Sequence, residues 1–170
     1  MTRDLWKRAR QSNTPRVVAL GLFRRAGDQV LVTSFRDGVT QHTLHRPPGG
    51  GVHFGESARE ALTREMREEF GQESRIGEQV GVFEDIFLHE GQPGHEIVFV
   101  FDAVFDDQAP YQQDELTLTD YGGIAVPARW AAAGSFAPAG PHFLCPPGLA
   151  DVLQAPRARD LVVPEKGDLP

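Results

Sequence analysis

Hydrophobic and polar positions along the chain predict strands on both sides of one amphipathic helix. Apolar runs rich in β-branched and aromatic residues predict strands at 16–23, 30–35, 41–46, 75–87 (bent or interrupted near Gly81), 97–105 and 124–126. A helical period predicts the central helix over 57–70, and shorter helices are predicted at 128–133 and 147–153. The polar segment 106–120 is predicted to be a long loop. Together these elements indicate an α+β fold.

The central helix groups three acidic residues on one face. At about 100° per residue, Glu65, Glu68 and Glu69 fall within roughly 100° of arc. The same arc holds small and apolar side chains, whereas the opposite side holds charged ones, namely Arg59, Glu60, Arg64 and Arg67. Carboxylates grouped in this way repel one another and lose hydration unless they have a partner. The pattern therefore indicates a hard divalent cation, which takes oxygen ligands and bridges carboxylates to phosphates.

Glycines and a capping residue mark the ends of this helix. The three glycines at 49–51 follow two prolines and predict a tight turn in which the backbone approaches a ligand closely. Ser57 and Glu60 predict a capping box, and Gly71 is typical of a left-handed C-cap. The alternative is an exposed helix held by Arg–Glu pairs at i, i+4 spacing. That alternative explains neither the carboxylates among alanines nor the glycines at both ends.

The stretch from residue 50 to residue 72 resembles the Nudix box, the signature of Nudix hydrolases. Its pattern is G-x5-E-x7-R-E-U-x-E-E-x-G-U, in which U is a bulky apolar residue. The matching positions are Gly50, Glu56, Arg64, Glu65, Met66, Glu68, Glu69 and Gly71. Only Gln72 departs from the pattern, and this change affects packing after the helix rather than the carboxylates. Eight such matches arise by chance with a probability on the order of 10⁻⁷.

The resemblance implies both a fold and a reaction. The fold is an α/β/α sandwich with a mixed β-sheet, expected over residues 15–155, between an N-terminal arm (1–14) and a C-terminal tail (156–170). The reaction is cleavage of a diphosphate linkage in a nucleoside diphosphate joined to another group, by water that Mg²⁺ or Mn²⁺ activates. Nucleoside triphosphates, ADP-ribose, nucleotide sugars and dinucleoside polyphosphates all remain open as substrates.

The resemblance also assigns roles to individual residues. Glu65, Glu68 and Glu69 are the implied metal ligands, to which the backbone carbonyl of Gly49 or Gly50 adds an oxygen. Glu56 and Arg64 are the implied pair that braces the loop against the helix. Several family members take the general base from the segment that here is 106–120. The candidates, in order, are Glu115, Asp120 and, at the head of a strand, Glu96; the alternative for each is a solvated carboxylate without a catalytic role.

Composition narrows the possible partners. The chain has 170 residues and a net charge of −7, with no basic run, so general nucleic-acid binding is not expected. No apolar run reaches the roughly 18 residues of a membrane span, and the N-terminus lacks the apolar core of a secretory signal. Cys145 stands alone, which favours the cytoplasm. We expect a monomer or homodimer that acts on a small, nucleotide-like diphosphate.

Other chemistries are weaker alternatives. The six histidines lack zinc-site spacing. Candidates for phosphate contact or base stacking, each more typical of packing or surface positions, are Arg24, Arg36, Arg46, Phe83, Phe87, His89 and Tyr111. A Nudix-fold isomerase of an isoprenoid diphosphate would need a Cys and a Glu acting across the substrate, and Cys145 is the only cysteine. A binding or regulatory module without catalysis would be expected to lose box carboxylates, all of which this chain keeps.

Overall fold

The computed structural model describes residues 14–26, 28–119, 123–136 and 141–155. The predicted tail, the predicted arm up to residue 13 and the candidate base Asp120 lie outside these ranges. Within them the elements are β1 (Arg16–Arg25), β2 (Gln29–Arg36), β3 (Thr43–Arg46), β4 (Gly49–Gly51), α1 (Ala58–Phe70), β5 (Ser74–His89), β6 (Gln92–Phe105), α2 (Ala109–Gln112), β7 (Glu115–Thr119), β8 (Ala125–Ala132), a 3-10 turn (Ala133–Ser135), β9 (His142–Leu144) and α3 (Leu149–Gln154). No helix in the described ranges is long and apolar enough to cross a membrane.

The strands form a mixed sheet with helices on both faces. Its main path runs β5-β6-β1-β2-β3-β9, in which β1–β6 and β3–β9 are parallel pairs. Alternate residues of β1 point into two cores, because successive side chains of a strand face opposite ways. Ala19 and Phe23 pack with Leu62 and Met66 of α1, whereas the second core holds Val18, Leu20, Leu22, Leu149 and Leu153. This arrangement confirms the predicted α/β/α sandwich.

The central helix begins and ends as its sequence predicts. Ser57 is the N-cap, its side chain accepts a hydrogen bond from the Glu60 backbone, and the Glu60 carboxylate accepts one from the Ser57 backbone. Gly71 closes the helix at φ 62°, where a side chain would be strained. These caps fix the first and last turns and thereby the direction in which the acidic face points.

Two predictions for the second half of the chain are wrong. Residues 128–133 do not form a helix, because Val126, Ala128 and Trp130 alternate inward along strand β8, which pairs with β2. Segment 106–120 is not one loop, because it contains α2 and strand β7, whose Leu116 and Leu118 enter the core. In both cases a two-residue alternation and an available strand partner outweigh local composition.

Candidate active site

Strand β4 brings the glycine-rich segment into direct contact with helix α1. This segment was expected to be a turn, but it pairs antiparallel with β1, with Gly50 opposite Ala19. A Cβ on Gly50 would lie 2.3 Å from the carboxyl carbon of Glu65. Gly49 has φ 138°, and a Cβ there would lie 2.1 Å from the carbonyl oxygen of Ala19. Only glycines allow the backbone to approach the acidic helix face so closely.

Arg64 joins the loop to the helix. Its Nη2 donates to the carbonyl oxygen of Gly51 at 2.9 Å and to Oε1 of Glu56 at 2.7 Å. Its Nη1 donates to Glu65 at 2.9 Å and to Glu68 at 3.1 Å. The hydrogen bond from Arg64 is the main reason that the pKa of Glu56 falls to about 2, so Glu56 is ionised at any ordinary pH. Glu56 and Arg64 thus occupy the bracing position that the motif implies.

The three box glutamates lie in different surroundings. Glu65 is pressed against Gly50, Glu68 has a side chain that is 55% exposed, and Glu69 is buried at the edge of a small pocket. Glu65 and Glu68 bond to the same guanidinium nitrogen and therefore lie close together. Within the described residues, no three acidic, histidine or cysteine side chains converge on a ready-made metal site. Joint coordination of one ion would therefore require a rotamer change.

The small pocket combines acidic and basic groups. Its lining includes Glu69, Gly49 and Gly50 together with two arginines, Arg16 and Arg46. Both guanidinium groups also reach Glu96, which is 1% exposed: Arg46 donates to it at 3.0 Å and Arg16 at 3.5 Å. Glu96 is therefore placed to hold two cationic side chains beside the box rather than to meet solvent.

The first candidate for the general base does not face this pocket. Glu115 lies on β7, whose buried residues Leu116 and Leu118 point toward α1, so the exposed Glu115 lies on the opposite face. Its carboxylate accepts a hydrogen bond from Arg129 of the neighbouring strand. The structure thus brings together Glu65, Glu68, Glu69, Gly49 and Gly50, and leaves Glu115 apart.

A second, larger cavity is lined in part by the same strand, β3. It has a volume of about 340 Å³, and its lining includes Leu44, Asp85, Phe87, Phe143 and Cys145. Leu44 and Arg46 are two residues apart on β3, so their side chains lie on the same face of the strand. Leu44 lines this cavity and Arg46 lines the small pocket. Among the stacking candidates, Phe87 lines the cavity, whereas Tyr111 packs against Phe105 and Trp130 in the core.

Asp85 and Arg16 are the site residues that sequence reasoning missed. Burial, and secondly the charge of Glu96, raises the pKa of Asp85 to about 6, although Arg46 acts against this. Burial likewise raises the pKa of the Cys145 thiol to about 12. In the sequence, Asp85 is recognisable as an acidic residue at an inward-facing position of a strand, between Phe83 and Phe87. No comparable signal marked Arg16, because its partner Glu96 is 80 residues away.

Comparisons with known proteins agree with this geometry. The profile of the NUDIX domain family matches residues 13–134, whereas a search of curated proteins found no match. The fold is similar to the E. coli ORF135 protein at 24% identity, covering 84% of this chain and 88% of that chain, with a TM-score of 0.54. It is also similar to a MutT NUDIX hydrolase from Burkholderia pseudomallei (21% identity, 81% and 96% covered, TM-score 0.55). A third similar structure is a MutT protein from Methanosarcina mazei Go1 (20% identity, 84% and 93% covered, TM-score 0.54). Because the family profile covers most of the chain and the fold is shared, the chain belongs to the Nudix hydrolase family.

Proposed function

We propose that this protein is a Mg²⁺- or Mn²⁺-dependent hydrolase of a diphosphate linkage in a nucleoside diphosphate joined to another group. One observation carries the proposal: Glu69 of the box helix opens into the same pocket as Arg16 and Arg46. Acidic oxygens for cations and guanidinium groups for phosphate oxygens therefore meet at one place. A carboxylate-free or arginine-free pocket would not suit a diphosphate in this way.

The box residues suit a hard cation by their chemistry. Glu65, Glu68 and Glu69 would hold it, and the carbonyl of Gly49 or Gly50 would supply a further oxygen. Glu65 and Glu68 already share one cationic nitrogen of Arg64, so these two carboxylates are close enough to share a positive charge. When bound, such an ion lowers the pKa of the attacking water and neutralises charge on the diphosphate.

The chain's own residues then position the substrate and take up the proton. Arg16 and Arg46, oriented by the buried Glu96, bind phosphate oxygens and hold the linkage in line for attack. We assign the proton-accepting role to a box carboxylate, because Glu115 faces away and Glu96 is engaged by both arginines. Glu69 is our first choice for the proton acceptor, because it is the box carboxylate that lines the pocket.

The larger cavity would receive the group attached to the diphosphate. Its volume of about 340 Å³ is within the range of small-molecule sites. Phe87 and Phe143 provide aromatic surface for a planar ring. Together they support a nucleoside rather than a small inorganic group.

A panel of diphosphate compounds tests this proposal. Nucleoside triphosphates, ADP-ribose, nucleotide sugars and dinucleoside polyphosphates are incubated with the full chain and Mg²⁺ or Mn²⁺, and the products are identified. We expect a nucleoside monophosphate among the products of at least one compound, and none when a chelator is present. Absence of metal-dependent cleavage across the panel would overturn the proposal.

Metal binding should also be visible in stability. We expect Mg²⁺ or Mn²⁺ to raise Tm, because a ligand that binds only the native state stabilises it by RT ln(1 + [L]/Kd). The triple variant Glu65→Gln, Glu68→Gln, Glu69→Gln should lose this response while remaining folded by circular dichroism. A metal response in that variant as large as in the wild type would place the ion elsewhere. Differential scanning fluorimetry with and without the ion is the measurement.

One observation bears on isomerisation of an isoprenoid diphosphate, the second candidate. Cys145 lines the same cavity as Asp85, so a thiol and a carboxyl group do meet there. The two groups are close neighbours, however, and burial raises the pKa of the thiol to about 12. This favours a packing role for Cys145. Including an isoprenoid diphosphate in the panel, with analysis for double-bond movement, separates the two candidates.

A further inference from the structure

An acidic side chain without a hydrogen-bond partner lines the larger cavity. Asp85 is 6% exposed, and none of the described residues donates a hydrogen bond to its carboxylate. Buried polar groups are nearly always hydrogen-bonded. The carboxylate oxygens of Asp85 are not among the fully buried atoms that lack a partner, so they reach the cavity, where they are accessible to a ligand.

The surroundings of Asp85 limit what such a ligand can be. The walls beside it are largely apolar and aromatic, including Phe87 and Phe143, and suit a flat ring. Asp85 also lies within electrostatic range of Arg46, which lines the small pocket next to the box. A ligand that places phosphates at Arg46 therefore directs its attached group toward Asp85.

We propose that Asp85 selects the base of the substrate by accepting hydrogen bonds from two adjacent N–H groups, as the N1–H and N2–H edge of guanine offers. The inference rests on the proposed function, because the base is the group attached to the diphosphate. It adds a specificity-determining residue and a substrate class, guanine nucleotides, to that function.

The hydrogen-bond donors and acceptors on the edges of the bases explain why Asp85 would select guanine. An ionised carboxylate is only an acceptor, so its two oxygens fit two parallel donors. Adenine and cytosine place a ring acceptor beside their amino group, and uracil places carbonyl oxygens on both sides of its single N–H. Each of these would turn a lone pair toward Asp85. A site built around particular hydrogen bonds rejects ligands that leave its polar groups unpaired.

The charge state of Asp85 adds a pH dependence. The titratable and charged groups near it are Glu96 from β6, Arg46 from β3 and Cys145 after β9, and Asp151 of α3 lines the same cavity. Burial and Glu96 raise the pKa of Asp85 to about 6. Above this pH the carboxylate accepts both donors; below it, the added proton blocks one of the two hydrogen bonds. Discrimination is therefore expected to weaken as the pH falls below about 6.

Guanosine and inosine 5′-monophosphates form a matched pair of probes. They differ only in the 2-amino group, so titration of the phosphate affects both equally. We expect the full chain to bind the guanosine compound about 10–100-fold more tightly at pH 8 by calorimetry, which is the usual effect of one hydrogen bond to a charged group. At pH 5 the two affinities should approach each other. Equal affinities at pH 8 would overturn the inference.

Asp85→Asn replaces one of the two acceptor oxygens of the side chain by a donor nitrogen. The amide would accept from N1–H of xanthine and donate to its O2, so the variant should lose the preference for guanosine over inosine monophosphate and gain affinity for xanthosine monophosphate. Asp28→Asn, the same substitution at an exposed position in the β1–β2 turn and outside both cavities, should leave the preference unchanged. If Asp85→Asn keeps the preference for guanosine monophosphate, the inference is wrong.

A stability measurement shows whether the variant is folded. The folded pKa of Asp85, about 6, lies above its ordinary value of 3.8, so ionisation opposes folding at high pH. Asp85→Asn should therefore melt at or above the wild type at pH 8, and this advantage should shrink as the pH falls from about 6 toward 3.8. A lower Tm at pH 8 would contradict the unfavourable ionisation on which the pH dependence rests.

Measurements of turnover distinguish this inference from the proposed hydrolase function on which it rests. Metal-dependent cleavage of all nucleotides with equal kcat/KM, unchanged in Asp85→Asn, would overturn the inference and leave the hydrolase intact. Selective binding of guanosine monophosphate without cleavage of any diphosphate would overturn the hydrolase and leave the binding site. A preference for guanine diphosphates that disappears in Asp85→Asn supports both.

Discussion

Replacing Glu69 by glutamine is expected to reduce kcat by well over 100-fold, beyond the roughly 10–100-fold typical of residues that only support a metal ligand. The substitution keeps the size of the side chain and removes its charge. Glu69 lines the pocket with Arg16 and Arg46, so the loss falls where the cation and the diphosphate would meet. The fold should survive, because removing one of three neighbouring carboxylates relieves repulsion.

Steady-state kinetics with the substrate found in the panel measure this effect. Glu78→Gln is the matched control, since Glu78 is an exposed glutamate on β5, outside both cavities. The control should retain wild-type kcat, and both variants should have a Tm close to or above that of the wild type without metal. Activity of Glu69→Gln within a few-fold of wild type would remove Glu69 from both metal binding and proton transfer.

The features that the sequence predicted well are those determined within a few residues. The capping box depends on Ser57 and Glu60, and the C-cap depends on the backbone freedom of Gly71. The acidic face of α1 follows from helical geometry alone once the helix is bounded. These local determinants explain why the box could be located, and its carboxylates named, without a structure.

The features that were missed depend on pairing between distant segments. Residues 128–133 favour a helix locally because of their alanines, whereas Trp130 and its neighbours are held in strand β8 by pairing with β2. Likewise, Glu96 meets Arg16 because β1 and β6 are parallel with these two residues in register. Asp85 lies opposite Glu96 for the same kind of reason. No short-range pattern encodes a register, so this buried charge network was not predictable.

The effect expected from Gly50→Ala is comparable in size to the loss at Glu69, although no charge is changed. A Cβ at this position would lie 2.3 Å from the carboxyl carbon of Glu65, and 2.4 and 2.6 Å from its oxygens. Because the atoms in conflict are at the far end of a flexible side chain, we expect the carboxylate to move and the backbone to stay in place. A displacement of about 1 Å at a catalytic centre can cost about 100-fold in rate, so kcat should fall by about that factor.

Gly134→Ala is the matched control, because a Cβ there meets nothing within 4 Å and neither glycine has a left-handed φ. We expect the control to keep full activity, and Gly50→Ala to keep a near-normal Tm while losing kcat and the metal-induced rise in Tm. The effects of Gly50→Ala and Glu65→Gln should not add, because both act on the same carboxylate. Full additivity, or a Gly50→Ala variant with normal kcat, would show that catalysis does not require Glu65 to lie against strand β4. Non-additivity together with an intact fold would instead mean that the glycine serves the position of that single carboxylate.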